Sequence, residues 1–119
     1  MYLEERKLAT ITESECVALV DETSAYCEVL QKSDHLIVAE PLEPVQMAMT
    51  VRVRNGKVSV TEGPFAETTE QIGGFFLIDA RDLNEAIHVA ARFPAVRFGS
   101  MEVRPVMAQQ RRLPCRRAT

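Results

Sequence analysis

Three carboxylates, Glu62, Glu67 and Glu70, lie within nine residues of one another in a segment rich in turn formers. The segment joins two apolar runs that are typical of strands. Like charges held close raise one pKa, and a carboxyl that titrates near neutral pH suits proton transfer. We therefore predict Glu62 and Glu67 as catalytic acid–base groups and Glu70 as a substrate-binding residue. The structural alternative has Glu62 bonding turn amides, Glu67 capping a helical turn and Glu70 solvated.

Three further residues complete the predicted site: His35 as a catalytic base, and Arg52 and Phe65 as substrate-binding residues. His35 opens an apolar run after a predicted helix, and imidazole is the usual proton-transfer group near neutral pH. Arg52 could hold a substrate carboxylate through two hydrogen bonds, and Phe65, at the loop tip, could line a pocket. The alternatives are a partly exposed histidine near a helix end and a surface arginine.

Metal and cofactor chemistry is not expected. The three cysteines and two histidines lack metal-ligand spacing. Cys16 and Cys27 are predicted to be small buried side chains. The segments Gly63-Pro64 and Gly73-Gly74 are followed by neither a helix start nor a lysine, so they do not predict a phosphate-binding loop.

The size and charge of the chain predict one cytoplasmic domain. Its 119 residues carry 14 basic and 17 acidic side chains, a net charge of −3. Residues 1–107 are predicted to form the domain, and residues 108–119, with four arginines and no acid, a disordered tail. An acidic body does not attract nucleic acid. The sequence shows neither a secretory signal nor a membrane-spanning run.

Two capping patterns mark helix starts. Thr12 with Glu15 precedes a 3.6-residue apolar period and predicts a helix over 13–32. Asp82 with Glu85 predicts a second helix that ends before Pro94. The apolar side chains Leu83, Ala86, Ile87 and Ala90 are expected to share one face of that helix.

The remaining apolar runs predict strands over 35–39, 50–54, 57–61, 73–78 and 99–105. Asn55-Gly56 stands between two alternating runs, the strongest short signal of a β-hairpin. The alternation predicts that the valines at positions 51, 53, 58 and 60 face the core. Pro41 and Pro44 are expected to end the preceding strand.

This order of elements predicts an α+β fold with a mostly antiparallel sheet and two helices on one face. In so small a chain, an apolar second sheet face is most simply covered by another subunit, so we expect a homodimer.

The segment Glu62-Gly63-Pro64-Phe65-Ala66-Glu67-Thr68 resembles the signature of the DGPF-type branch of the YCII-related proteins. The resemblance continues through Gly73-Gly74-Phe75, the segment 82–86 and the segment 102–105. It covers about residues 2–107. It implies a bacterial protein with a ferredoxin-like sandwich of the dimeric α/β-barrel type.

The chain departs from that family in three ways. Glu62 replaces the usual aspartate, and Thr69 replaces a common lysine. The third departure is at the start, where Met1-Tyr2-Leu3-Glu4-Glu5 matches only the end of the family's first strand. That strand is central in a ferredoxin-like sheet, so either the start codon is placed late or the sheet is incomplete. With this shortened strand, we expect the chain to be less stable than a version in which the strand is restored.

The resemblance implies a protein that binds or converts a small organic molecule by cofactor-free acid–base chemistry, as isomerases and lyases do. The alternative is a non-enzymatic interaction protein, accessory to regulation by extracytoplasmic-function sigma factors, with the basic tail as its contact.

Overall fold

The computed structural model describes residues 1–107 and has a mixed α+β architecture. This part of the chain contains three α-helices and seven β-strands, with short 3-10 helices at Val45–Met47 and Pro94–Arg97. In chain order they are β1 Tyr2–Leu3, α1 Glu5–Thr10, α2 Glu13–Lys32, β2 Leu36–Pro41, β3 Met49–Arg54, β4 Lys57–Glu62, β5 Gln71–Ile72, β6 Gly74–Ile78, α3 Leu83–Ala91 and β7 Gly99–Ser100. The predicted tail, 108–119, lies outside the described residues.

The strands form three small antiparallel sheets. One has the order β5-β1-β7, a second pairs β2 with β6, and the third is the β3–β4 hairpin. The prediction of antiparallel pairing is confirmed, but the prediction of a single sheet is wrong, because the strands of residues 1–107 form three. No barrel is present there either. β1 has only two residues, yet it is the central strand of its sheet.

Both long helices begin where their capping residues predict. The Oγ1 atom of Thr12 accepts the Glu15 amide, and the Glu15 side chain reaches back to the Thr12 backbone, so the predicted capping box is complete. Asp82 accepts the Glu85 amide at 2.8 Å. The short helix α1 was not predicted, because its six residues carry no capping side chain.

A small core lies between α2, α3 and β6. Leu30, Val89 and Phe93 are its buried centre, and Phe76 packs its ring 4.1 Å from that of Phe93. The ring of Tyr26 meets Phe93 edge-on at 4.8 Å, and its hydroxyl donates to the Val89 carbonyl at 2.7 Å. These contacts join the two helices through groups that satisfy both apolar packing and hydrogen bonding.

The hairpin turn is confirmed, but the predicted burial of its valines is wrong. Asn55 and Gly56 have φ angles of 53° and 75°, the left-handed values that such a turn requires. Strand pairing places Val51 opposite Val60 and Val53 opposite Val58. All four valines are nevertheless 56–67% exposed. The alternation correctly predicts that the four valines share one face, but no other element among the described residues buries that face.

Several other predicted positions are corrected by the structure. The last strand was expected over 99–105 but ends at Ser100. β2 continues through Pro41, which pairs with Gly74 at the strand end. On α3, Leu83 and Ile87 of the predicted face are about half exposed, whereas Ala90 of that face and Val89 are buried. Cys16 is exposed, whereas Cys27 is half-buried against the core.

Close backbone approach explains the glycine that begins β7. A Cβ atom on Gly99 would lie 1.9 Å from the Tyr2 carbonyl oxygen, so any side chain there would displace β1. No helix within residues 1–107 is both long and apolar enough to cross a membrane.

Candidate functional site

The acidic loop, residues 62–70, places its three carboxylates in different surroundings. Glu62 ends β4 opposite Met49 and is exposed, as is Glu67. Glu70 is half-buried, and its Oε1 accepts the Ser100 hydroxyl at 2.8 Å. Within residues 1–107, no three side chains of His, Cys, Asp or Glu converge as a metal site does. The three acids therefore form no close cluster of that kind in the single chain.

The side chain of Arg52 contacts the backbone of the acidic loop. Its guanidinium donates to the Phe65 carbonyl at 3.2 Å, which ties the hairpin to the loop tip. The Phe65 side chain is 78% exposed, and Thr50 donates to the Gly63 carbonyl at 2.8 Å. Two contacts from β3 thus position the loop. The arginine and phenylalanine side chains do not enclose a pocket in the single chain.

His35 lies in a second group of polar side chains, which the structure brings together from distant parts of the sequence. Its Nδ1 is 2.7 Å from the Ser33 hydroxyl, and its Nε2 is 3.2 Å from Glu85 Oε1. The imidazole is about a third exposed and the carboxylate about a fifth, so both can be reached from solvent. The arrangement is a histidine held between a hydroxyl and a carboxylate.

Local backbone structure positions this group. Ser33 caps the C-terminus of α2, and Asp34 has the left-handed φ of 62° that turns the chain into β2. The His35 amide donates to the Leu30 carbonyl at 2.8 Å, and its carbonyl accepts the Asp79 amide at 2.7 Å. The histidine is therefore fixed to both α2 and the strand end of β6.

Glu85 is held as a carboxylate by its neighbours. Its Oε1 accepts the Arg81 amide at 3.1 Å, and its Oε2 is 3.0 Å from the Arg81 guanidinium. The pKa of Glu85 is lowered, first by the Arg81 amide and then by the charge of Arg81 and the contact with His35, against an opposing effect of burial. An ionised Glu85 can only accept hydrogen bonds, so it requires a proton on His35 Nε2.

The hydroxyl of Ser33 can satisfy either charge state of the ring. With neutral imidazole, Nδ1 has a lone pair and accepts the Ser33 O–H. With imidazolium, Nδ1–H donates a hydrogen bond to Ser33 Oγ. The Ser33 hydroxyl can then donate its own hydrogen bond to the Leu30 carbonyl, 3.2 Å away. The network thus retains its partners whether or not His35 carries the second proton.

The predicted catalytic residues do not form one site. His35 lies at the end of the β2–β6 ladder where Leu36 pairs with Ile78, and the acidic loop leads to the opposite end, where Pro41 pairs with Gly74. Five residues of strand separate these ends, about 17 Å. Among the described residues, the side chain of His35 is hydrogen-bonded to Ser33 and Glu85 and to neither Glu62 nor Glu67.

Sequence reasoning missed Ser33, Arg81 and Glu85 as members of the His35 group. Glu85 was assigned to the capping box of α3, but its carboxylate bonds the Arg81 amide rather than that of Asp82. A serine at a helix end two residues before a histidine was the available local signal. No local signal in the sequence predicts the contact of His35 with Glu85, fifty positions later.

A cavity of about 570 Å³ lies beside this group, between β6, α3 and the segment 101–106. α3 and the core form an apolar floor that includes Ala86, Val89, Ala90 and Phe93. Charged residues are at its edge: Asp79 and Asp82 line one part, and Glu102 and Arg104 form an ion pair at 2.7 Å. A smaller cavity of about 180 Å³ adjoins α1 and β5.

The sequence matches the YCII-related domain over residues 1–110. The chain belongs to the YCII-related domain family. The matched range of this YCII-related domain includes the acidic loop, the His35 group and the cavity lining. A protein of Rhizobium meliloti (strain 1021), described as uncharacterised, is 45% identical over 67 residues. That alignment covers 55% of this chain and 54% of the relative, so the chain spans about half the length of the relative it matches.

Proposed function

We propose that this YCII-related domain binds a small organic molecule beside His35 and moves a proton on it without a cofactor, in an isomerase- or lyase-like reaction. The observation that supports this is the contact of His35 with Ser33 at 2.7 Å and Glu85 at 3.2 Å. A general base needs a partner that fixes its tautomer and a path for its proton. Glu85 supplies the first and Ser33 the second.

In the proposed step, the Ser33 hydroxyl passes its proton to neutral His35 at Nδ1, 2.7 Å away, as the Ser33 oxygen takes a proton from the bound molecule. The ring then carries a positive charge that the Glu85 carboxylate, 3.2 Å from Nε2, stabilises. Return of the proton to a different atom of the bound molecule completes an isomerisation and restores neutral His35.

The cavity edge is less suited to this role. Asp82 is used as the cap of α3, and Glu102 is paired with Arg104. The acidic loop remains the second candidate, with Glu62 or Glu67 as the acid–base group and Phe65, Glu70 and Arg52 as binding residues. That arrangement requires other groups to converge on the loop, which a second subunit would have to supply.

We further propose that the domain belongs to the DGPF-type branch and forms a homodimer of the ferredoxin-like, dimeric α/β-barrel type. The exposed valines of the β3–β4 hairpin support the homodimer, because a contiguous exposed apolar face usually marks a protein–protein contact. Sedimentation velocity tests the proposal. A species of twice the chain mass is expected, and a monomer across the micromolar range would contradict it.

The test of function is a thermal-shift screen of small carboxylates, lactones and phenols, followed by mass spectrometry of each stabilising compound in D₂O. The parent protein is expected to exchange carbon-bound protons of a bound compound for deuterium. His35→Asn should slow that exchange at least about a hundredfold, the usual contribution of a general base.

Two matched variants locate the chemistry. His88→Asn alters the other histidine, which is exposed on α3, and should leave exchange unchanged. Glu67→Gln tests the acidic loop. If the compound binds and exchanges equally well in His35→Asn but not in Glu67→Gln, the site is at the loop and the assignment to His35 is wrong.

A further inference from the structure

Ser33 has a neighbour that no other serine within residues 1–107 has. Its hydroxyl oxygen is 2.7 Å from His35 Nδ1 and 3.2 Å from the Leu30 carbonyl. The other serines of this part of the chain make no hydrogen bond to a histidine; they are Ser14, Ser24, Ser59 and Ser100. Ser33 is also exposed, so a molecule in solvent can reach it. A hydroxyl whose proton can pass to an adjacent base is the usual starting point of nucleophilic catalysis.

Glu85 completes a series of serine, histidine and carboxylate. Its Oε1 is 3.2 Å from His35 Nε2, the ring nitrogen that does not contact Ser33. The carboxylate stabilises the positive charge that the imidazole gains when it takes the hydroxyl proton. The carbonyl end of α2, just before His35, also favours a positive charge there. The series therefore has the three parts that activate a nucleophile: an attacking group, a base and a group that orients the base.

The backbone around Ser33 decides which acyl compounds can react. The amides of residues 33–35 all donate to carbonyls near the end of α2, those of Val29, Leu30 and Gln31. These amides are therefore not free to bind the oxyanion of a tetrahedral intermediate, an interaction worth about a hundredfold to a thousandfold in rate. Amides and alkyl esters need that help, because their leaving groups depart poorly. Aryl esters and thioesters need less, since phenolates and thiolates are stable anions.

We infer that this group has a second activity, the transfer of an acyl group from an aryl ester or a thioester to Ser33 and then to water. In the first step Ser33 Oγ bonds the carbonyl carbon and its proton passes to His35 Nδ1, 2.7 Å away. The bond from that carbon to the leaving oxygen or sulfur then breaks, and His35 returns the proton to the leaving group. In the second step water attacks the acyl-serine with His35 as its base. The carboxylic acid leaves, and Ser33 regains its proton.

The inference uses the same contacts as the proposed proton transfer, but it does not rest on an isomerase or lyase reaction. In both activities the Ser33 hydroxyl gives its proton to His35. The difference is what the oxygen then takes from the bound molecule: a proton in the first activity, and an acyl carbon in the second.

The test is incubation of the whole chain with 4-nitrophenyl acetate, followed by peptide mapping with mass spectrometry. An acetyl ester on Ser33 is expected, formed at least about tenfold faster than on Ser24, an exposed serine of α2 without a histidine partner. Neutral hydroxylamine removes acetyl esters but not acetyl amides, so it distinguishes Ser33 from acetylated lysines. Acetyl groups confined to amines, or equal rates at the two serines, would overturn the inference.

Variants of the nucleophile and the base locate the activity. Ser33→Ala and His35→Asn should each lower the release of 4-nitrophenolate above the uncatalysed reaction at least about a hundredfold. Ser24→Ala should leave it unchanged. Circular dichroism checks that each variant folds, and the acetyl ester is mapped on the parent protein, so the inference is tested even if a variant does not fold. Release that Ser33→Ala leaves unchanged would overturn it.

The charge of Glu85 is tested by two variants. Glu85→Gln keeps an acceptor for the Arg81 amide and for His35 but removes the charge, and should slow acetylation of Ser33 at least about tenfold. Glu85→Asp keeps the charge and should recover part of that rate. A merely structural role predicts the reverse order, because glutamine has the length of glutamate.

The acyl transfer and the proposed proton transfer can fail separately. Deuterium exchange that His35→Asn abolishes, in a protein whose Ser33 is never acetylated, would overturn the acyl transfer and leave the proton transfer standing. Acetylation of Ser33 with no exchange on any stabilising compound would support the acyl transfer alone.

Discussion

The core around Phe93 and the β3–β4 hairpin are both regular, yet they differ in what holds them. Phe93 is 3% exposed and touches side chains from α2 and β6, whereas Val53 is 56% exposed and lies opposite Val58 of the partner strand. A two-stranded hairpin alone is marginal in water. The local pattern is thus enough to form the hairpin, whereas burial of its valines would need a surface that residues 1–107 of one chain do not supply.

The largest effect should come from emptying the core. Phe93→Ala removes the ring that Tyr26 and Phe76 contact, and should lower the free energy of unfolding by about 3–5 kcal/mol. Urea denaturation followed by circular dichroism measures it. Phe65→Ala, the same change at a 78% exposed position, is the control and should have little effect. Similar losses of unfolding free energy in the two variants would contradict the assignment of Phe93 to the core and Phe65 to the surface.

A smaller loss should follow from removing the cap of α2, the helix that supplies Leu30 to the core. Thr12→Ala deprives the Glu15 amide of its acceptor at 3.1 Å and should cost about 1 kcal/mol. Thr12→Ser keeps the hydroxyl and should restore stability. If Ser and Ala behave alike in urea denaturation, the capping oxygen does not stabilise the helix.

The hairpin face should respond least in the isolated chain. Val53→Thr with Val58→Thr should change monomer stability by less than about 0.5 kcal/mol, because both side chains already meet water. The same change at Val89, which is 8% exposed, should cost about 1–3 kcal/mol, since it buries a hydroxyl. Sedimentation of the double variant sharpens the comparison: loss of a dimer would show that a second copy covers the valines.

The contacts of Glu85 with Arg81 and His35 make the stability of the fold depend on pH. The pKa of Glu85 is lowered in the folded chain, so its stabilising effect is complete above the unfolded value of about 4.3 and is lost as pH falls through the folded value. The melting temperatures of the parent and Glu85→Gln should therefore differ at neutral pH and converge in acid. Glu28→Gln, at an exposed glutamate of α2, should track the parent throughout.

The features that the sequence predicted well are those with local causes. The start of α2 follows from Thr12 and Glu15, and the hairpin turn follows from Asn55 and Gly56, whose backbone angles need no distant contact. What it mispredicted depends on tertiary partners. The valine pattern fixes which side chains share a face, but not whether anything covers that face.

The candidate site was only partly predictable for the same reason. His35 could be singled out as a base by residue type and place, but its carboxylate partner comes from a helix fifty positions later. The acidic loop looked like a site because its acids are close in sequence, and the fold then directed Glu70 to Ser100 instead. Acidic residues that are close in sequence need not have side chains that are close in space, because the turns of the loop change the direction of the chain between them.

The position of β1 has a consequence for the order of events during synthesis. Tyr2 pairs with Ile72 and Ser100, 70 and 98 positions later, whereas the hairpin joins neighbours across two residues. The helix α2 and the hairpin can therefore form as soon as they leave the ribosome. The β5-β1-β7 sheet must wait until nearly the whole domain has been translated. Contacts of such long range are slow to close, so we expect the assembly of this sheet to be the rate-limiting step of folding.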